Sequence, residues 1–157
     1  MNEIISKYEN FLTESMELSS DSDSNCEEDI TVDDKKINLG VQICEDLWDD
    51  NYSQKVSNTL IDKGADMIVN ISASPFREEI LDKRLNLCID KSTHLKYYFI
   101  YCNLVGAQDE LVYDGRSFII DSNGEIKKLA KIFEEDIVDF DSEVEDSMKI
   151  DYPNISS

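Results

Sequence analysis

The apolar patterning of this chain predicts an α/β fold built on a partly parallel sheet. Short apolar, β-branched runs at residues 37–44, 66–71 and 97–103 have strand length, and segments of helical periodicity at 50–63 and 79–94 separate them. Two further apolar runs, 117–121 and 126–131, flank Ser122-Asn123-Gly124, the composition of a hairpin turn. Strand–helix–strand repeats make parallel neighbours, and a parallel sheet needs cover on both faces. Two helices cover one face, so the other is expected to look for a partner.

Each element has its own warrant. Residues 37–44 (INLGVQIC) are apolar with β-branched side chains and no helical period. In 50–63, Tyr52, Val56, Leu60 and Ile61 recur at about one turn, and Gly64 stands where a C-cap is expected. Residues 66–71 (DMIVNI) form a second buried strand, and 72–76 (SASPF) a loop, because Pro75 turns Ser74 away from helical backbone. Leu81, Leu85, Cys88 and Ile89 make one stripe of a helix over 79–94. A third strand covers 97–103, a loop covers 105–116, and 136–140 adds a last strand.

The ends read differently. Residues 1–12 carry a short helical period in Ile4, Ile5, Tyr8, Phe11 and Leu12. The Ser/Asp-rich stretch after it buries too little surface to offset its ordering entropy. The expected organisation is therefore an acidic, mostly disordered segment over 1–35, a domain over 36–141 and an acidic tail over 142–157.

With 157 residues, 41% of them hydrophobic, the chain has material for one domain and its core. Its formal net charge of -20 disfavours nucleic acid and anionic membrane as partners. No apolar run reaches membrane-spanning length, and no basic-then-apolar leader opens the sequence. A reducing, cytoplasmic setting follows, with Cys26, Cys44, Cys88 and Cys102 as thiols in no CxxC pair. With His94 the sole histidine, no metal site is expected.

In open α/β sheets functional groups gather in the loops after strand carboxyl ends. Here those loops read CEDLW, SASPF and NLVGAQDELVYDGRSF. Cys44 at the first strand end suits a thiol nucleophile, with the following backbone N–H groups near a developing oxyanion. The competing reading is a small core residue, which Cys88 and Cys102 keep. Cys26 lies among acids that disfavour its thiolate. His94 reads as a residue of a helix end and Trp48 as a core or edge aromatic. Asp109, Glu110, Asp114 and Arg116 fit a structural loop network as well as a substrate contact.

Together, LGVQICEDLW (39–48), GADMIVNISASPF (64–76) and NLVGAQDELVYDGRSFIIDSNG (103–124) resemble the nitrilase-type glutaminase domain of glutamine-dependent NAD+ synthetases, over residues 37–139. The resemblance is to the back half of that domain. It implies a partial α-β-β-α sandwich and a Cys–Glu–Lys catalytic set, with Cys44 as nucleophile and the Glu45 backbone N–H at the oxyanion. It implies Ser74 as a contact to glutamine. The reaction implied is glutamine amide hydrolysis through a cysteine thioester, supplying ammonia for ATP-dependent conversion of deamido-NAD to NAD+. ATP and deamido-NAD belong to a synthetase domain for which this chain shows no Gly-rich loop.

Two departures shape the expectation. Only 43 residues precede Cys44, and none matches the family's contexts for the catalytic Glu and Lys. The family's Gly-Lys after SASPF is Glu79-Ile80 here, with Lys83 and Arg84 the nearest cations considered in its place. The chain is thus expected to act as a fragment or split subunit, in a homo- or hetero-oligomer with a chain supplying the front half. The alternatives are a non-catalytic, partner-binding remnant and an amidase for another small amide.

Overall fold

The computed structural model describes residues 27–32 and 35–141, with side chains from residue 37. The expected helix over 1–12 and tail over 142–157 lie outside the described residues. Strands β1 (Glu27–Val32), β2 (Lys35–Ile43), β3 (Met67–Ser72), β4 (Tyr98–Asn103), β7 (Phe118–Ile120) and β8 (Ile126–Leu129) form one six-stranded sheet in the order β1-β2-β3-β4-β7-β8. The central pairs β2–β3 and β3–β4 are parallel, and the flanking pairs are antiparallel. Helix α1 (Val56–Asp62) crosses from β2 to β3, and α2 (Ile80–Leu95) from β3 to β4. The chain is α/β with a nitrilase-like fold.

Strand alternation sorts the sheet into two faces. Ile68 of β3, Phe99 and Tyr101 of β4, and Phe118 and Ile120 of β7 are buried with Leu60 of α1 and Leu85 and Cys88 of α2 in one core. Both helices therefore cover the same face. On the other face Val41, Val69 and Ile100 stand in register, and beside them Ile43, Ile71 and Cys102. That row is only half-buried or exposed, with Ile43 54% accessible. Among the described residues no helix or second sheet covers this face, as expected from two helices, and Cys102, read above as a core thiol, lies on it.

Four expectations are corrected. Residues 27–32, expected within the disordered stretch, pair as an antiparallel edge strand with β2. Edge strands tolerate charge, and the β-branched Ile30, Thr31 and Val32 suit extended backbone. The helix expected over 50–63 shrinks to Val56–Asp62, preceded by a 3-10 turn at Asp49–Asn51. Asp49 Oδ2 accepts the Val56 N–H at 2.9 Å, and Lys55 Nζ donates to the Asp49 and Asp50 carbonyls, so the chain is tied off before the helix starts. Tyr52, counted in the stripe, is 68% exposed.

The loop expected over 105–116 contains a hairpin, β5 (Val105–Gln108) with β6 (Leu111–Asp114). Its turn has no glycine to announce it; Asp109 takes the left-handed conformation instead, at φ 52°. No strand forms at 136–140, where the Asp136 carboxylate accepts the Lys131 and Ile137 N–H groups and Phe140 packs against Tyr98. The predicted turn at 122–124 is borne out: Asp121 Oδ1 accepts from Asn123 and Glu125, and Gly124 has φ 82°.

Cys88 makes the core pH-sensitive. It is fully buried, and burial pushes its thiol far above the ordinary 9.0. Unfolded, it ionises near that value while the native thiol keeps its proton. Above it the unfolded state binds fewer protons, so the contribution is full below pH 9.0 and is lost as pH rises. Urea melts from pH 8 to 10.5 should show stability falling, and Cys88→Ala should flatten the slope by up to about 1.4 kcal/mol per pH unit.

Candidate functional site

Cys44 opens a 3-10 turn, Cys44–Leu47, directly after β2. Its φ is 45°, a left-handed conformation that L-residues other than Asn and Asp avoid. The turn is held by Asp46 Oδ2, which accepts the Ile43 N–H at 2.8 Å, and by the Trp48 N–H on the Glu45 carbonyl at 2.9 Å. The thiol is half-buried and Glu45 is exposed beside it. Strained backbone persists only where its surroundings over-determine it, and such points gather at functional sites. Cys44→Gly should therefore be more stable than Cys44→Ala by about 1 kcal/mol in urea denaturation, since glycine alone is free of the left-handed penalty. Equal stabilities would mean the strain is relieved elsewhere.

Next to this turn lies a cavity of about 410 Å³ lined by Glu45, Trp48, Ser74, Pro75, Arg77 and Ile80. It joins the CEDLW turn to the SASPF loop and the start of α2. Glu45 and Arg77 bring opposite charges to the lining, Ser74 adds a hydroxyl, and Trp48 and Ile80 add apolar surface. Its lining is about half polar, and converging polar groups of this kind fix a small ligand's orientation.

A buried polar network sets Ser74. The Ser74 N–H donates to Asn103 Oδ1 at 2.9 Å. Arg84, fully buried on α2, donates from Nε and Nη2 to Ser74 Oγ at 3.3 and 3.0 Å, and from Nη2 to the Ser74 carbonyl at 2.7 Å. Its Nη1 donates to both carboxylate oxygens of Asp114, at 2.9 and 3.0 Å. The second loop, α2 and the end of β6 thus meet at one guanidinium.

The residues singled out in sequence divide accordingly. Glu45, Trp48 and Ser74 line one cavity, and Cys44, the residue before Glu45, is not among the lining residues. Asp114 belongs to the buried network, while Asp109 and Glu110 are exposed at the hairpin turn. Arg116 Nη1 donates to the Ala130 carbonyl. His94 is exposed.

Neither cation considered in place of the family's Lys serves there. Lys83 is exposed and pairs with Glu79, and Arg84 is spent on Asp114 and Ser74. The cation on the cavity is Arg77, which sequence reading passed over. Its signal was position alone, three residues before the missing Lys. Cys26 lies outside the described residues. Among the described residues no group of three metal-binding side chains forms, and no helix is long and apolar enough to cross a membrane.

The fold is shared with a solved carbon-nitrogen hydrolase, and the sequence agrees. The carbon-nitrogen hydrolase family profile matches residues 6–149, and the chain belongs to that family. Within it, the chain is 35% identical over 124 residues to the glutamine-dependent NAD(+) synthetase of Thermotoga maritima, covering 79% of this chain and 21% of that one. The synthetase of Aquifex aeolicus is 39% identical over 121 residues, covering 71% and 19%. Among solved structures, the NAD+ synthetase of Acinetobacter baumannii in complex with ADP superposes with a TM-score of 0.61 at 30% identity, over 71% of this chain and 20% of that one. A carbon-nitrogen hydrolase of Helicobacter pylori, 22% identical, shares the fold at a TM-score of 0.54, covering 62% and 38%. The chain spans about a fifth of the length of the synthetases it matches.

Proposed function

We propose that this chain carries the nucleophile of a glutaminase that supplies ammonia to NAD+ synthesis. The observation that carries the reading is the strained Cys44 turn beside a cavity whose wall holds Glu45 and Arg77. A free amino acid is a zwitterion, so an acidic and a basic residue lining one cavity suit its two ends. The Cys44 thiolate attacks the side-chain amide carbon of glutamine, and the carbonyl oxygen becomes an oxyanion facing the Glu45 backbone N–H. Collapse breaks the C–N bond, the nitrogen takes a proton and leaves as ammonia, and water hydrolyses the thioester to glutamate. Ser74 contacts the substrate, and Arg77 stands in for the Lys that the family has at position 80.

The general base and the Lys of the catalytic set come from a chain or segment matching the front half of the domain, whose sheet covers the open face around Val69 and Ile71. ATP and deamido-NAD bind the synthetase part. The alternative of a partner-binding chain without turnover draws on that same open face. Ammonia release from glutamine decides between them, measured on this chain alone and mixed with a front-half chain from a related synthetase. Release that depends on Cys44, with a glutamyl adduct on that residue by mass spectrometry, supports the glutaminase. Binding of the front half without release in the mixture sinks it in favour of the partner-binding reading.

A further inference from the structure

Ser74 and Arg84 carry an inference about how the cavity chooses its occupant. A serine hydroxyl has two acceptor lone pairs and one proton. Arg84 Nε and Nη2 both donate to Ser74 Oγ, so both lone pairs are occupied. Arg84 has no freedom to do otherwise: it is fully buried, fastened to both Asp114 oxygens and to the Ser74 and Pro75 carbonyls, and stacked over Tyr101 at 5.8 Å from the ring centroid. What Ser74 has left for the cavity is its proton.

We propose that Arg84 is a positioning residue that makes Ser74 a hydrogen-bond donor only, so that the cavity accepts a carboxylate or carbonyl oxygen at that point and rejects an ammonium group. Arg77 on the same cavity adds a cation that favours the same anionic end. Because Arg84 is paired with Asp114 at the end of β6, the setting of Ser74 also depends on the β5–β6 hairpin being docked. The inference rests on the glutaminase reading for the identity of the occupant. The setting of Ser74 does not.

The test uses the full 157-residue chain. Cys44 is alkylated with iodoacetamide, followed by mass spectrometry, with glutamine as competitor. Arg84→Lys keeps a cation for Asp114 but loses the fork that holds Ser74. It and Ser74→Ala should each weaken glutamine protection about tenfold, the effect of one charge-assisted hydrogen bond. The double variant should be no weaker than either single one. 4-Aminobutanamide, which is glutamine without the α-carboxylate and has no oxygen at that point, should protect wild type poorly and distinguish little between wild type and Ser74→Ala. A merely structural Arg84 would lower the melting temperature of Arg84→Lys and leave protection intact, or give additive losses, and either result overturns the proposal. Tyr101, whose buried hydroxyl has no hydrogen-bond partner among the described residues, is the competing acceptor for the proton. Tyr101→Phe should leave protection unchanged, and a loss matching Ser74→Ala would overturn the donor assignment.

A second measurement needs neither glutamine nor a folded Arg84 variant. The Arg84 Nε–H signal, assigned by NMR in the wild-type chain, should move and exchange at least about tenfold faster with solvent in Ser74→Ala. An unmoved signal overturns the proposal. If glutamine also fails to protect wild type mixed with the front-half chain while the Nε–H signal responds, the glutaminase reading falls and the setting of Ser74 by Arg84 stands.

Discussion

Arg84→Met should cost about 3–5 kcal/mol of stability, the loss expected when one partner of a buried ion pair is removed. Arg84 and Asp114 have side chains 0% and 1% accessible, with Nη1 2.9 Å from the carboxylate. Methionine fills much of the volume, so the loss is electrostatic and not a cavity. It strands the Asp114 charge with the Asn103 amide at 3.3 Å as a remaining donor, leaves the Ser74 carbonyl only the same amide at 3.4 Å, and removes the Arg84 bond to the Pro75 carbonyl. A buried charge without its counter-ion costs several kcal/mol. Arg84→Met combined with Asp114→Leu should recover most of the loss, because an apolar pair replaces a buried ion pair at little net cost. Urea denaturation of the three chains measures this. A loss below about 1 kcal/mol for Arg84→Met would place the pair in contact with solvent.

Cys44→Ala should reduce ammonia release by the assembled enzyme to background, a loss on the order of 10⁶, as removing the nucleophile of an acyl-transfer site does. No other described thiol can substitute. Cys88 is fully buried on α2 with its ionisation pushed far upward, and Cys102 points from the open face of the sheet. Cys88→Ala and Cys102→Ala should therefore keep turnover wherever the chain still folds and assembles. The control that matters is Cys44→Gly, which relieves the left-handed backbone and yet removes the thiol. Activity retained by either Cys44 variant would mean that the nucleophile lies elsewhere. Lost activity with glutamine still bound by the Cys44 variants, measured by isothermal titration calorimetry, would assign Cys44 to chemistry and Ser74 with Arg77 to binding.

Sequence made the sheet and its crossovers legible because their signals are local. Apolar runs of strand length and the turn residues Gly64 and Gly124 act within a few positions of themselves. The boundaries were less legible. The 50–63 period ran on through Tyr52, and nothing short of the folded turn tells that Asp49 would cap Val56 from seven residues away. The β5–β6 hairpin was hidden for a similar reason, since Asp109 supplies a conformation usually announced by glycine.

The site divides along the same line. Composition drew attention to the CEDLW and SASPF loops after buried strands, and the family resemblance gave Cys44, the Glu45 backbone and Ser74 their roles. That Cys44 sits at φ 45°, that Arg77 reaches the cavity, and that Arg84 is spent on Ser74 and Asp114 all depend on contacts between residues 10 to 30 positions apart. The sequence by itself determined the elements and the chemical groups at their ends, which are properties of short stretches of chain. The tertiary structure alone decided which cation faces the cavity and which is buried beneath it. Arg77 and Arg84 carry the same guanidinium, and only the packing of α2 against β6 separates a group free to meet a ligand from one that holds the site in shape.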